Sequence, residues 1–431
     1  MATEDARYRE SSQYRLWSFS PTQLSALREK TNAAARARIS DRLLSHPLPA
    51  TSSRDLSAPT SNANTPDPDG NGNSTPALPE FLTPAEELTL VGFYISETLR
   101  ASEMLHYADE IKATAAMFLK RFYITNSIMT YPPQEMLIVA LFFACKVESG
   151  HVNLSEYTKT FNKSPEEVLA GEFLLCQGLR FAFDVKHPFR ALRGAMMELA
   201  SLKDMQADLK RLDAAEARAR KILQFSPLMT DAYFHYTPSQ IMLAALSLAD
   251  RGLAERLIQE TFHFVAMEGN SADTPGANGG AGEGNNNKNR ANEEKAAIIG
   301  SHLRDKVLGA VEACRDMLSR ELPERKEHWT NKPFIKTQIT PLRKKLLKCK
   351  DPERWNLVEL QRVRRQQKLD SDDEDDGGRK VKKEEDGDVF GGELGHSAKK
   401  RKVTVKEEDP FGEPLRKVTV KKEEDPFGGM L

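Results

Sequence analysis

The residues best suited to chemistry in this chain are four cysteines and nine histidines, yet their spacing predicts no reactive site. The cysteines form no CxxC or Cys/His ligand pair, the histidines form no HExxH motif, and no nucleophile elbow occurs. We therefore expect reduced, mostly buried thiols of an intracellular protein, with no metal site and no cofactor. The cysteines are Cys145, Cys176, Cys314 and Cys349.

A glycine-rich stretch is the remaining candidate for phosphate binding. GGAGEG, at 279–284, lies in a low-complexity insertion, and no strand pattern precedes it as a phosphate loop requires. Carboxylates are plentiful, but they fall on predicted helix faces or in the charged tail, where solvation is the default explanation. The sequence thus predicts a protein that is not an enzyme.

Composition indicates ordered domains diluted by disordered segments. Of 431 residues, 39% are hydrophobic and 29% are charged, which is polar for a fully globular chain. The formal net charge of -1 gives no global attraction to nucleic acid or to an anionic membrane. No signal peptide opens the chain, and the longest apolar run, 136–145, is too short to cross a bilayer. We expect a soluble protein.

Four stretches look unfolded, and one of them, around 322–341, is broken by prolines and ambiguous. Nearly all of the rest of the chain has helical periodicity, so the fold class is all-α. Helix starts are marked by a hydroxyl, a proline and then Glu or Gln at the third helical position, at Ser20, Thr83 and Ser164. The predicted boundaries are 1–45 for an N-terminal segment with a helix, 46–80 for a disordered linker, 81–185 for a first helical repeat, 186–322 for a second repeat with a disordered insertion at 269–294, 323–365 for a C-terminal helical extension, and 366–431 for a disordered charged tail.

Each repeat is predicted to hold five helices around one buried axial helix. The axial segments, 131–146 and 236–251, share Tyr, Pro, Ala and Leu at matching positions, and each ends on a cation. A helix that is apolar almost all round is stable only when other helices surround it. The predicted starts are near Pro84, Asp109, Pro133, Leu154 and Pro165 in the first repeat, and near Pro188, Ala207, Ser239, Leu253 and Ala296 in the second.

Three stretches, 8–24, 118–148 and 228–246, narrow this architecture to a family. They resemble the cyclins, and among these the cyclin of the CDK-activating kinase carried by general transcription factor IIH. The most specific part is TDAY at 230–233 with YTPSQI at 236–241, whereas FLKRF and ACKVE indicate only some cyclin. The resemblance implies two tandem cyclin-box repeats with flanking N- and C-terminal helices.

The resemblance implies a non-catalytic subunit that activates a cyclin-dependent kinase. In the family a lysine ending the third helix and a glutamate in the fifth bond to kinase backbone, and these match Lys146 and Glu172. Taken without the family, Lys146 caps a helix dipole and Glu172 lies on a solvated face. Trp17 and Phe19, beside the N-cap Ser20, either staple their own helix or anchor it against the box and the kinase.

The implied partners are the kinase, a RING-finger assembly factor and the transcription factor IIH core, in a heterotrimer rather than a homo-oligomer. The implied outputs are phosphorylation of the RNA polymerase II C-terminal repeats and of the activation loops of other cyclin-dependent kinases. The stretch 86–99 lacks the MRxxLxxW-type patch with which cell-cycle cyclins dock substrates, so we expect no such docking. No direct nucleic-acid contact and no membrane contact are expected.

The charged tail carries candidate signals that are short enough to occur by chance. KKRKV resembles a nuclear localisation signal and predicts a nuclear protein, although it also reads as a solvated charge run. Three apolar–Lys–x–Glu units resemble sumoylation acceptors, and SDDEDD resembles an acidophilic kinase site. The residues are Lys399, Lys400, Arg401 and Lys402 for localisation, and Lys382, Lys406, Lys421 and Ser371 for modification.

Two other functions stay open at this stage. A transcription factor IIB-like double cyclin fold would bind DNA and polymerase, but the cysteine spacing gives no zinc ribbon and the net charge of -1 opposes DNA binding. Another transcriptional cyclin, of a mediator or elongation kinase, is the second alternative.

Overall fold

A computed structural model describes residues 4–45, 78–205, 208–271 and 284–375, and in these ranges the chain is helical with no strand. This confirms the all-α prediction. The helices are α1 Glu4–Glu10, α2 Ser12–Trp17, α3 Pro21–Ser45, α4 Pro84–Met104, α5 Asp109–Thr125, α6 Pro133–Val147, α7 Leu154–Phe161, α8 Pro165–Gly178, α9 Phe189–Ser201, α10 Leu209–Leu223, α11 Ser226–Met229, α12 Ala232–His235, α13 Pro238–Ala249, α14 Arg251–Ser271, α15 Gly284–Ser319, α16 Lys326–Thr330, α17 Lys332–Phe334, α18 Thr340–Lys348 and α19 Leu357–Asp375.

The first bundle is formed by α4 to α8 around the axial helix α6. Every residue of α6 from Met136 to Cys145 is buried, and α6 packs against α4, α5 and α8. The five helices begin where the sequence predicts, because two of the starts carry complete capping boxes, at Thr83 and Ser164. Each box satisfies backbone donors that a helix N-terminus otherwise leaves unpaired.

The second bundle repeats this arrangement around α13, which packs against α9, α10, α14 and α15. Its start is set by a capping box between Thr237 and Gln240, with proline at the first helical position. The axial helix therefore begins at Pro238, one residue before the predicted position. Two short helices that the sequence did not predict, α11 and α12, precede it.

Helix boundaries differ from the sequence prediction at the low-complexity stretches. Helix α15 begins at Gly284 instead of near Ala296, so 284–294 are helical where a disordered insertion was predicted. Helix α19 likewise runs to Asp375, past the predicted boundary at 366. Composition underestimates how far helices extend into such segments, because adding a residue to an existing helix costs far less free energy than starting a helix. The linker 46–77 and the tail beyond 375, including the candidate localisation and sumoylation residues, lie outside the described residues.

Helix α3 fastens parts of the chain that are distant in sequence. Asn32 donates to the Leu82 carbonyl at 2.9 Å, and Thr31 donates to the Ile124 carbonyl at 2.7 Å. Further along, Arg38 binds Asp351 of the C-terminal extension at 3.2 Å and Thr130 at 2.6 Å. The N-terminal segment is therefore part of the packed structure and holds the extension beside the first bundle.

The cysteines are free, and three of the four are buried, as the sequence predicts. None of the helices in the described ranges combines the length and apolar character that a bilayer crossing requires.

Candidate functional site

Lys146 and Glu172 meet on the surface of the first bundle. Lys146 is in the last turn of α6, Glu172 is on α8, and the Lys146 Nζ lies 2.5 Å from the Glu172 Oε1. Lys146 also lies over the Phe142 ring, with Nζ 5.4 Å from its centroid. An ammonium carries three donors and a carboxylate several acceptor sites, so one mutual bond leaves both groups able to bond a partner's main chain.

Exposed apolar side chains lie on α8 beside Glu172 and just after that helix. Leu169 and Phe173 flank Glu172 on one face of α8, and they are 39% and 57% exposed. Phe181, 59% exposed, follows the helix, and its ring centroid is 6.3 Å from that of Phe173. Three large apolar side chains left in water on one surface are typical of a protein-binding site. We call Leu169, Phe173 and Phe181 the apolar patch.

The backbone has an unusual conformation at Phe181, the last residue of the apolar patch. Arg180 and Phe181 both have left-handed φ angles, 54° and 53°, which are uncommon for residues with a side chain. Sequence reasoning missed this patch, because an apolar residue in an amphipathic helix is by default assigned to the core. The positive φ at two successive residues leaves no signature in their identities.

The structure buries Trp17 inside the chain. Its side chain is 1% exposed, and the guanidinium carbons of Arg121 and Arg180 lie 5.3 Å and 5.6 Å from its ring centroid. In the chain alone the Trp17 ring is enclosed, which agrees with anchoring of the N-terminal helix against the box; a contact of Trp17 with the kinase stays a prediction. Trp17 fixes the N-terminal segment to the first bundle by packing and cation–π attraction.

Phe19 is partly buried and fixes the same segment to the second bundle. Its backbone N–H donates to the Phe234 carbonyl at 2.8 Å, and the two rings lie 6.1 Å apart. The Phe19 carbonyl oxygen lies 2.7 Å from the His235 Nδ1. Of the four predicted kinase-binding residues, the structure thus brings Lys146 and Glu172 together on the surface and uses Trp17 and Phe19 within the chain.

The TDAY segment holds the two bundles and α3 together through Asp231. Arg28 of α3 donates to both carboxylate oxygens of Asp231, at 2.7 Å and 2.9 Å. Lys120 of α5 lies 3.7 Å from the same carboxylate and donates to the carbonyls of Leu228, at 3.1 Å, and Thr230. The Lys120 Nζ also lies 5.6 Å from the centroid of the Phe234 ring.

We call the cluster of Arg28, Lys120 and Asp231 the joint between the bundles. Burial and mutual contact shift the pKa values of two of its members, Lys120 and Asp231. Burial lowers the pKa of Lys120 to about 8, although the nearby Asp231 charge opposes that shift. Burial alone would raise the pKa of Asp231, but the hydrogen bonds from Arg28 and the charge of Lys120 hold it well below its usual range. Asp231 is therefore ionised and is the common partner of both cations.

A second polar chain crosses the joint through His187. The His187 Nε2 lies 2.8 Å from the hydroxyl of Thr114, and its Nδ1 lies 2.9 Å from the hydroxyl of Tyr233. Thr114 in turn donates to Glu148 at 2.6 Å. Burial lowers the pKa of His187 to about 3, and the positive charge of Arg121 adds to the shift. The imidazole is therefore neutral at pH 7 and bridges the bundles by hydrogen bonding.

No group of three or more metal-ligating side chains is found in the part of the chain that the structure describes. Cys176 on α8 is a thiol that interacts electrostatically with both members of the ion pair. Burial raises its pKa to about 11, with a further contribution from the negative charge of Glu172. It is thus protonated at neutral pH and a poor nucleophile. The arrangement on this surface is suited to binding a protein.

The chain resembles known proteins in sequence and in fold. Residues 187–319 match a family model described as the cyclin C-terminal domain. Cyclin CCL1 of Saccharomyces cerevisiae is 31% identical over 64% of this chain and 65% of its own length. Cyclin mcs2 of Schizosaccharomyces pombe is 31% identical over 56% of this chain and 68% of its own length. A putative cyclin-H of Dictyostelium discoideum is 28% identical over 56% of this chain and 75% of its own length.

A solved structure covers more of the chain. It is a chain of the CAK complex from Chaetomium thermophilum bound to ATP-gamma-S, with 58% sequence identity and a TM-score of 0.69. The match covers 89% of this chain and all of that chain. Two tandem helical bundles with flanking helices, together with these relatives, identify a regulatory cyclin subunit. Within that class, the chain belongs to the cyclin H family.

Proposed function

We propose that this cyclin binds and activates the cyclin-dependent kinase of the CDK-activating kinase, within the transcription factor IIH kinase module, and has no catalytic activity of its own. The observation that carries the proposal is the Lys146–Glu172 pair beside the apolar patch on the first bundle. The 58% identity to a chain of a solved CAK complex supports the choice of kinase.

The activating contact follows from the chemistry of this surface. The apolar patch packs on the mobile helix of the kinase small lobe, while Lys146 and Glu172 bond to kinase backbone and hold that helix inward. A glutamate of the helix can then pair with the ATP-binding lysine, which phosphoryl transfer requires. An interface of about 2,000 Å² or more is expected for a stable signalling assembly.

The wider assembly is part of the same proposal. A RING-finger assembly factor is the third subunit, the transcription factor IIH core is the docking partner, and the complex is nuclear. Its outputs are phosphorylation of the RNA polymerase II C-terminal repeats and of other kinases' activation loops. The names of the cyclin relatives and the CAK complex support this context. The tail residues Lys399, Lys400, Arg401 and Lys402 are the proposed localisation signal, outside the described residues.

We call the bonds from Lys146 and Glu172 to the kinase backbone the kinase grip. The double variant Lys146→Ala/Glu172→Ala tests it. We expect kinase activity at a fixed subsaturating cyclin concentration to fall roughly 100-fold, since charged contacts buried at an interface are worth about 2–5 kcal/mol. The free cyclin should keep its melting temperature, because an ion pair this exposed contributes little to stability.

The matched control is Arg251→Ala/Glu255→Ala, which removes an exposed ion pair at the corresponding end of the second bundle. It should leave kinase activity unchanged. Full activity of the Lys146→Ala/Glu172→Ala variant with intact kinase binding would overturn the proposed grip.

A further inference from the structure

The fifth helix of the first bundle carries a glycine at a crowded position. A Cβ atom on Gly171 would lie 2.7 Å from the Val139 Cγ2 of α6 and 3.2 Å from the Leu357 Cδ1 of α19. Real Cβ contacts essentially never reach the shorter of these distances. The absent side chain therefore allows α6, α8 and the C-terminal extension to meet at one point, one residue before Glu172.

We propose that Leu357 of the C-terminal extension is a positioning residue for the kinase grip and acts through Gly171 on Glu172. The proposal rests on the function proposed above. Leu357 is the first residue of α19 and is 2% exposed, so its side chain packs into the gap that Gly171 leaves. The Val139 side chain of α6 packs into the same gap.

A second contact sets the direction of α19 against α8. Arg362 lies 3.2 Å from Glu166 in the first turn of α8. Leu357 therefore pairs with Gly171, and Arg362, five residues later, pairs with Glu166, five residues earlier. The two helices run antiparallel. The pair of contacts spans about 7 Å of each helix axis. The Arg362–Glu166 ion pair is exposed and adds little stabilising energy, so the Leu357 contact accounts for most of the packing between α19 and α8.

The consequence for the grip is geometric. Lys146 is on α6 and Glu172 is on α8, and their 2.5 Å contact requires the two helices to stay in close register. Leu357 and Val139 both approach the point where a Cβ of Gly171 would lie, one residue from Glu172. Removing the leucine side chain leaves a gap into which α8 can shift, and the carboxylate moves with the helix.

The test uses full-length cyclin with its kinase and measures the kinase kcat at saturating cyclin. Leu357→Ala should lower kcat about tenfold, because misplacing a positioning group by about 1 Å has effects of this order or larger. Leu357→Met, which keeps nearly the same volume, should restore it. Gly171→Ala should also lower kcat, whereas Gly194→Ala should not, since a Cβ there meets no atom within 4 Å.

A double-variant comparison separates positioning from a purely structural role. If Leu357 acts through Glu172, then Leu357→Ala should have no further effect on kcat in the Glu172→Ala background. Additive losses in that background, or a lowered melting temperature with unchanged kcat, would overturn the positioning role. If Leu357→Ala is fully active while Lys146→Ala/Glu172→Ala is not, this inference fails and the proposed function stands. If both are fully active, the proposed function fails as well.

Discussion

The two axial helices of this cyclin are alike in their cores and different at their ends. Helix α6 continues to Val147, so Lys146 stays in its last turn and reaches across to Glu172 on the fifth helix of the bundle. Helix α13 stops at Ala249, and Asp250 is extended with φ -153° and ψ 105°. The cation that follows, Arg251, therefore begins the next helix.

The residues around the C-terminal end of α13 explain why this helix stops at Ala249. Both oxygens of Asp250 accept from Arg211, at 2.6 Å and 2.8 Å, and one oxygen also accepts from the Leu253 backbone N–H at 3.1 Å. Arg251 bonds Glu255 one turn further along the same helix. Duplication thus preserved the buried helix and the position of a cation, while local hydrogen bonds decide whether that cation can join two helices into a binding surface.

The largest expected effect concerns the joint that both bundles share. Asp231→Ala should lower the free energy of unfolding by about 3–5 kcal/mol, because it leaves the buried Lys120 without its countercharge. Urea unfolding of the full chain measures this. The matched control is Asp250→Ala, which removes a bidentate arginine pair and an N-cap bond nearer the surface and should cost about 1–2 kcal/mol. Equal losses in the two variants would contradict the special role given to the joint.

The apolar patch should account for the next largest effect. Phe173→Ser/Phe181→Ser should raise the Kd for the kinase about 30-fold or more, because buried aromatic anchors dominate protein interfaces. Isothermal titration calorimetry, or surface plasmon resonance with immobilised kinase, measures the affinity. Met197→Ser changes a side chain of the second bundle that is 69% exposed, and it should leave the Kd unchanged. An equal loss of affinity in this variant would argue that both bundles contact the kinase.

His187 gives a smaller, pH-dependent effect. Its pKa is about 3 in the folded chain against about 6.5 unfolded, so the unfolded state binds more protons between these values. Stability is therefore full above pH 6.5 and falls as the pH decreases, by about 2 kcal/mol at pH 5. His187→Gln should be less stable at pH 7 but should lose less between pH 6.5 and 5. The exposed His151→Gln variant should follow the parent curve; a parent-like slope in His187→Gln would refute the assignment.

The sequence predicts the helical framework well because its signals are local. Hydroxyl–proline starts at Thr83 and Ser164 and the apolar runs of the axial helices specify where helices lie, and the structure agrees with them. A shared role for Lys146 and Glu172 was expected only through the family resemblance, since charged residues on helices usually face solvent, and their mutual bond was not predicted.

The contacts that the sequence does not reveal are long-range. Arg28 and Asp231 are 203 residues apart, and neither residue type signals a buried pair. Trp17 was expected either to staple its own helix or to anchor it against the box and the kinase, and the sequence does not show that its ring packs over Arg121. Periodicity shows which face of a helix is apolar, but it does not show whether that face meets the core or a partner.

Helix α3 has a consequence for how the protein is made. Its arginines are paired with Asp231, which is 203 residues further along the chain, and with Asp351, which is 313 residues further along. At a translation rate of about 5–20 residues per second, the ribosome needs up to about a minute to deliver the second partner. After it leaves the exit tunnel, helix α3 thus waits for chain that is still untranslated, and nascent-chain chaperones have that interval in which to bind it.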